Sequence, residues 1–187
     1  KTSLLKQLII TSSNGVIKEL HDKLEKKIKN QWNKVIKQIE IPLYIYSGKI
    51  LQDTQRGNGV FIEYDTSKQN SPLKFLSTLE SDYDATFSMS TGQLSALVIS
   101  LTLALNKVYG LSQNGGLLLI DDPMQSMDEM NIASFIELIR NDFGKTQMIL
   151  STHESKISRL LQYKYLKYNK NVRNYSVKDE FFKEVYE

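Results

Sequence analysis

The chain has 187 residues, of which 41% are apolar and 24% are charged, and its formal net charge is +3. This composition supports one folded core plus an extension, and the mild charge neither requires nor excludes a nucleic-acid partner. The chain has no cysteine, which excludes cysteine metal sites and favours a reducing, cytoplasmic location. No stretch has the pattern of a signal peptide or a membrane span, so no membrane contact is predicted.

The first predicted element is a charged helix from Gly15 to about Glu40. Its apolar residues recur at intervals of three and four, which is typical of a coiled coil. An ordinary amphipathic surface helix is the alternative, because the repeat is short. The seven lysines from Lys18 to Lys37 form a solvated face or, as a second interpretation, contact phosphate groups. The apolar residues are Ile17, Leu20, Leu24, Ile28, Trp32, Val35 and Ile39.

The following segments predict small elements whose function is not readable. Alternating patterns at 42–47 and 59–64 predict two strands, and the polar stretches 52–58 and 65–72 predict loops. Residues 73–79 predict a short helix.

A long apolar helix then begins after Ser90 and ends at Gly110. Ser90 and Gln93 fit a capping box. A hydroxyl, a side-chain amide and backbone N–H groups at a helix N-terminus, with Gly92 permitting close approach, also predict a phosphate cradle. A well-capped core helix without a ligand is the alternative. The apolar residues at helical spacing are Leu94, Leu97, Val98, Leu101, Leu105 and Val108.

The apolar run from Gly115 to Ile120 ends abruptly in Asp121, Asp122 and Pro123. This pattern predicts a buried central parallel strand, and ligands of parallel α/β sheets lie at the carboxyl ends of the strands. Paired carboxylates at such a position typically hold Mg²⁺ and orient a water. The alternative is a turn that only terminates the strand.

A helix over about residues 130–142 and an apolar strand over 147–150 follow, and His153 lies just beyond that strand. The order strand, helix, strand predicts a right-handed parallel unit, which places His153 beside the end of the Asp121 strand. A structural histidine is the alternative. The triplet Gly144-Lys145-Thr146 resembles the end of a P-loop, but a helix precedes it, so we predict a helix C-cap at Gly144.

Basic residues alternate with tyrosines from Lys164 to Arg173. This pattern predicts an edge strand protected by lysines, and a DNA-facing strip is the second interpretation.

Taken in order, four of these motifs resemble the second half of an ABC-type ATPase head. Residues 89–93 resemble the signature motif, 117–122 the Walker B strand, 125–128 the D-loop and 152–153 the switch-histidine loop. The preceding helix, and the short distance from signature to Walker B, are similar to the SMC, SbcC and RecF branch, whose heads carry long coiled coils and act on DNA. The resemblance covers about residues 42–165.

The resemblance implies an α/β, parallel-sheet nucleotide-binding half-head over residues 41–187, with residues 1–40 as the end of a coiled-coil arm. It implies ATP and Mg²⁺ as cofactors, ATP hydrolysis by the complete protein, and ATP-dependent closure of two heads. The implied partners are an N-terminal lobe that carries Walker A, a second identical head, DNA, and a nuclease or another effector subunit in DNA repair or phage defence. No Walker A motif is present in this sequence, so the segment alone is expected to be inactive.

The resemblance also implies roles for single residues. Asp121 would bind Mg²⁺, Asp122 would orient the attacking water, and His153 would contact the γ-phosphate. The residues implied to bind nucleotide, or to act across the two heads, are Ser90, Thr91, Gly92, Gln93, Gln125, Ser126 and Asp128.

Two residues depart from the family pattern, because Thr91 stands in place of a glycine and Asp122 in place of a glutamate. The shorter Asp122 carboxylate would fall over about 1 Å short unless the backbone compensates. Two alternative functions therefore stay open. One is a degenerate head that dimerises on ATP with little turnover, and the other is a two-metal phosphoryl-transfer or nuclease domain.

Overall fold

The computed structural model describes residues 2–52, 59–64, 73–110 and 116–178, with side chains described from residue 15 onward. The predicted loops at 52–58 and 65–72 lie almost entirely outside the described residues. The elements are, in chain order, α1 (Thr2–Leu51), β1 (Phe61–Tyr64), β2 (Leu73–Leu76), a 3₁₀ turn (Ala85–Ser88), α2 (Thr91–Tyr109), β3 (Leu117–Ile120), α3 (Glu129–Asp142), β4 (Gln147–Leu150) and α4 (Ser155–Lys167).

Helix α1 is much longer than predicted, and the predicted strand at 42–47 is wrong, because the helix continues through Pro42 to Leu51. A proline inside a helix costs about 3 kcal/mol, since it removes one hydrogen bond and crowds the preceding turn. Burial offsets this cost here. Four apolar side chains at helical spacing on either side of the proline are at most 3% exposed, namely Ile39, Leu43, Tyr46 and Ile50.

The apolar stripe of the predicted arm is exposed on α1 before residue 35, where Ile17, Leu20, Leu24 and Ile28 are each more than half accessible. Packing against the core begins at Val35 and Ile36. Whether residue 40 separates two domains stays a prediction.

Strands β1 and β2 form an antiparallel pair in which Phe61 lies opposite Leu76. The predicted helix at 73–79 is therefore wrong, because β1 offers this short apolar segment a pairing partner that the sequence alone did not reveal. The pair is fixed to α1 by the buried Ser47 hydroxyl, which donates to the Leu43 carbonyl at 2.7 Å and accepts from the Val60 N–H at 2.8 Å.

Strands β3 and β4 are parallel, as predicted, and Ile120 lies opposite Leu150 at their carboxyl ends. Within the described residues β3 pairs with β4 alone, so the predicted central position of β3 in a parallel sheet is not shown. One face of the pair contacts the core through Leu118, whereas Leu117 and Leu119 on the other face are exposed. The described fold is thus mixed α/β, with four helices and two small sheets.

The predicted edge strand at 164–173 is wrong, because residues 155–167 form α4. Apolar residues at helical spacing pack α4 against the core, including the buried Ile157. Helix α3 ends at Asp142 with Phe143 as its C-cap, one residue before the predicted cap at Gly144. A β-carbon at Gly144 would lie 2.5 Å from the Arg140 carbonyl oxygen, which explains the glycine.

No helix among the described residues combines the length and the apolar character that crossing a membrane would need.

Candidate functional site

A cluster of polar side chains lies at the carboxyl ends of β3 and β4, where the sequence predicts a ligand site. Asp121 and Asp122 follow β3, and Ser151 and His153 follow β4. The Ser151 hydroxyl donates a hydrogen bond to Asp121 Oδ1 and accepts one from the Asp122 N–H at 2.8 Å. One serine therefore connects both carboxylate residues to the end of the neighbouring strand.

Asp122 and His153 are in direct contact, with 2.6 Å between Asp122 Oδ2 and His153 Nδ1. An ionised carboxylate can only accept, so Nδ1 carries the hydrogen in this contact and Nε2 is not used in it. The imidazole is 59% exposed and the Asp122 side chain 25% exposed, so the pair is open to solvent on the histidine side. The predicted proximity of His153 to the end of the Asp121 strand is confirmed.

The second oxygen of Asp122 is buried, and no hydrogen bond reaches Oδ1 from the part of the chain that the structure describes. A buried carboxylate oxygen without a donor is costly, and such an atom usually faces a ligand, an ion or a water. Mg²⁺ prefers hard oxygen ligands and keeps several waters. Asp121 with one oxygen bonded to Ser151, and Asp122 with its buried Oδ1, fit a hydrated magnesium ion in their chemistry.

The N-terminus of α2 forms the second candidate region. Ser90 is its N-cap, with Gln93 Oε1 accepting from the Ser90 N–H at 2.9 Å and Ser90 Oγ accepting from the Gln93 N–H at 3.3 Å. The predicted capping box is therefore confirmed. Thr91 and Gly92 are the first two helical residues, whose N–H groups have no partner within a helix.

Gly92 packs against the predicted D-loop. A β-carbon at this position would lie 2.3 Å from the Ser126 carbonyl oxygen. Met124 and Met127, which are buried, hold this loop on the core. The sequence suggested that Gly92 permits close approach of a phosphate; the contact that the structure shows is with the D-loop backbone.

The signature and D-loop segments line one open groove of about 660 Å³. Asp128 is the N-cap of α3, and its Oδ1 accepts from the Asn131 N–H at 2.7 Å. Gln125 is exposed and does not line the groove. The lining residues are Leu51, Gln52, Ser90, Thr91, Gly92, Gln93, Ser126, Asp128 and Asn131.

Sequence reasoning missed Ser151 and Gln52. Ser151 carried a usable signal, because it is a hydroxyl residue at the end of the strand that precedes His153. Gln52 follows the long helix with a positive φ of 48° and lines the groove, but nothing in the local sequence distinguishes it from a solvated loop residue.

Carboxylates at the end of a parallel strand pair, together with a capped helix next to the following loop, make up the candidate site of this mixed α/β fold. A search of solved structures finds the crystal structure of the Smc head domain with an extended coiled coil, bound to the C-terminal domain of ScpA, from Pyrococcus furiosus. The TM-score is 0.51 at 15% sequence identity, over 76% of this chain. The chain spans only 34% of that structure's chain. In fold, this chain is similar to part of an SMC head.

No protein-family model matches the chain, and no curated protein matches it in sequence.

Proposed function

We propose that this chain is one lobe of an SMC-like ATPase head, which binds Mg²⁺·ATP together with a lobe that carries Walker A and closes on a second head. The observation that carries the proposal is the contact of Asp122 with His153 beside Asp121, at the carboxyl ends of two parallel strands. The similarity in fold to an SMC head supports the class.

At the strand ends, each side chain has a distinct task in this proposal. Asp121 is a metal ligand, since its second oxygen is not engaged by Ser151. Asp122 orients the attacking water through its carboxylate, which the contact with His153 holds in place. His153 presents Nε2 toward the γ-phosphate while Asp122 fixes its ring. Mg²⁺, when bound, supplies charge neutralisation for the phosphates.

The groove at the α2 N-terminus serves the opposite head in this proposal. Backbone N–H groups at a helix N-terminus and the positive end of the helix dipole attract phosphate. Thr91 and Gly92 provide such N–H groups, and Ser90 and Gln93 hold the helix start in place through the capping box. Ser126 and Asp128 form the adjoining wall, and Gln125 extends from the same loop. The further partners that we propose are DNA and an effector subunit, in a cytoplasmic assembly.

A head that dimerises on ATP but turns over slowly is the second candidate. Asp122 favours it, because one oxygen of its short side chain is already bonded to His153. A two-metal nuclease is less well supported. Within the described ranges, the only group of three or more ligand-type side chains close enough to share a metal is His21, Asp22 and Glu25 on α1, which the strand-end residues do not join.

The test uses the complete head, with the Walker A lobe present. Asp121→Asn should abolish Mg²⁺-dependent ATP binding, whereas Asp122→Asn should retain ATP, lose turnover and accumulate closed dimers. Asp82→Asn removes the same charge from an exposed residue away from the site and is the matched control. Isothermal titration and light scattering measure binding and closure. Equal ATP affinity and turnover in all four proteins would refute the proposed function.

A further inference from the structure

We propose that Ser151 is a positioning residue that holds Asp122 in an unusual backbone conformation, and that this conformation lets the short aspartate do the work of a longer acid. The inference rests on the proposed function, because it assigns Asp122 the task of orienting a water.

The first step of the argument is that Ser151 joins the two strand ends at three points. Its N–H donates to the Ile120 carbonyl at 3.2 Å, which continues the β3–β4 pairing by one residue. Its hydroxyl oxygen accepts from the Asp122 N–H at 2.8 Å, and its hydroxyl hydrogen goes to Asp121 Oδ1. The hydroxyl therefore donates to one residue of the carboxylate pair and accepts from the other.

The second step concerns the backbone of Asp122, whose φ is 41°. A positive φ is uncommon outside glycine, although aspartate tolerates it better than most residues. Pro123 restricts the backbone of the residue before it as well. Such a conformation persists when surrounding contacts fix it. The hydrogen bond from the Asp122 N–H to Ser151 is the contact that acts directly on this backbone.

The third step is the direction in which the side chain then points. With this backbone, Asp122 Oδ2 reaches His153 Nδ1 at 2.6 Å and Oδ1 lies buried without a donor among the described residues. An aspartate lacks one methylene of glutamate, so its reach depends more strongly on the backbone. Because the Ser151 hydrogen is given to Asp121, Ser151 acts on Asp122 through its backbone N–H and forms no bond with its carboxylate.

The experiment compares Ser151→Ala with Ser151→Thr in the complete head. Ser151→Ala should lower kcat roughly tenfold or more while ATP affinity changes little, because misplaced catalytic groups cost rate rather than binding. Ser151→Thr keeps the hydroxyl, and the exposure of residue 151 leaves room for one methyl group, so it should retain most of the activity. The ring ¹⁵N shifts of His153 should change in Ser151→Ala alone.

A second comparison tests the compensation itself. In a head carrying Asp122→Glu, the acid no longer depends on the backbone for reach, so adding Ser151→Ala should cost less than it does beside the native Asp122. An equal cost in both backgrounds would refute the compensation.

The outcomes separate the two proposals. Wild-type turnover in Ser151→Ala, or equal losses in the alanine and threonine variants, would overturn the role of Ser151 while leaving the proposed function in place. A loss that merely follows the folded fraction would also overturn it. If the unmodified head neither binds nor hydrolyses Mg²⁺·ATP, the proposed function fails and the role of Ser151 fails with it.

Discussion

Gly92→Ala tests the contact between the start of α2 and the D-loop. The new β-carbon would lie 2.3 Å from the Ser126 carbonyl oxygen, whereas ordinary contacts lie at 3.4–4 Å. The loop must therefore retreat by about 1 Å. Met124 and Met127, which are buried on either side, resist that movement.

Two terms of opposite sign set the expected magnitude. Forcing extra volume into a well-packed contact costs about 1–3 kcal/mol. Replacing glycine by alanine in a helix returns about 0.5–1 kcal/mol. The difference is a net loss of up to about 2.5 kcal/mol, which lowers Tm by up to about 10 °C in a chain of this size.

Gly15→Ala is the matched control, because it makes the same chemical change inside α1 and its β-carbon meets nothing within 4 Å. It should stabilise the protein by about 0.5–1 kcal/mol. Thermal unfolding followed by circular dichroism measures both variants. If Gly92→Ala unfolds at the same temperature as Gly15→Ala, Gly92 does not press on the D-loop and the packing argument is refuted.

Three further outcomes are expected. Ser47→Ala should lower the free energy of unfolding by about 1–3 kcal/mol, because it leaves the buried Val60 N–H unpaired. Ser100→Ala removes a hydroxyl that donates to a carbonyl of its own helix, so it should cost less in the same denaturant titration. Ser90→Ala should cost about 1 kcal/mol through loss of the cap, and a cost of zero would contradict the capping box. The hydrogen bond from Arg140, and second that from Lys164, lower the pKa of the Glu137 carboxyl. The stability that this carboxylate contributes is present above its ordinary pKa and should be lost as pH falls through the lowered pKa. Glu137→Gln should therefore make the free energy of unfolding depend less on pH in this acidic range.

The sequence predicted best those elements whose terminal residues themselves mark where the element begins or ends. Helix α2 has a capping box at one end and Gly110 at the other, and β3 and β4 are apolar runs that stop at polar residues. In these cases local chemistry and tertiary packing favour the same structure.

The wrong predictions concern segments whose secondary structure depends on tertiary contacts. Pro42 normally argues against a helix, yet the buried face on both sides of it keeps α1 continuous. Residues 73–76 are too short to distinguish strand from helix without their partner β1. In α4, alternating lysine and tyrosine residues suggested a strand, whereas the apolar spacing that packs on α3 is helical.

The sequence identified residues of the candidate site, but it did not predict the hydrogen bonds between them or the backbone conformation of Asp122. Apolar strands that end in acids and in a histidine identified Asp121, Asp122 and His153. The positive φ of Asp122 and the two bonds of the Ser151 hydroxyl depend on how the strand ends face each other, which no local pattern encodes.

Pro42 gives the long first helix a point of low bending stiffness. It has no N–H, so the carbonyl of Gln38 lacks its helical donor within the part of α1 that packs on the core. Leu51 and Gln52, at the C-terminal end of the same segment, line the groove. From Pro42 back to Gly15 the helix extends about 40 Å, at a rise of ~1.5 Å per residue. A tilt of about 10° at Pro42 would thus displace Gly15 by about 7 Å.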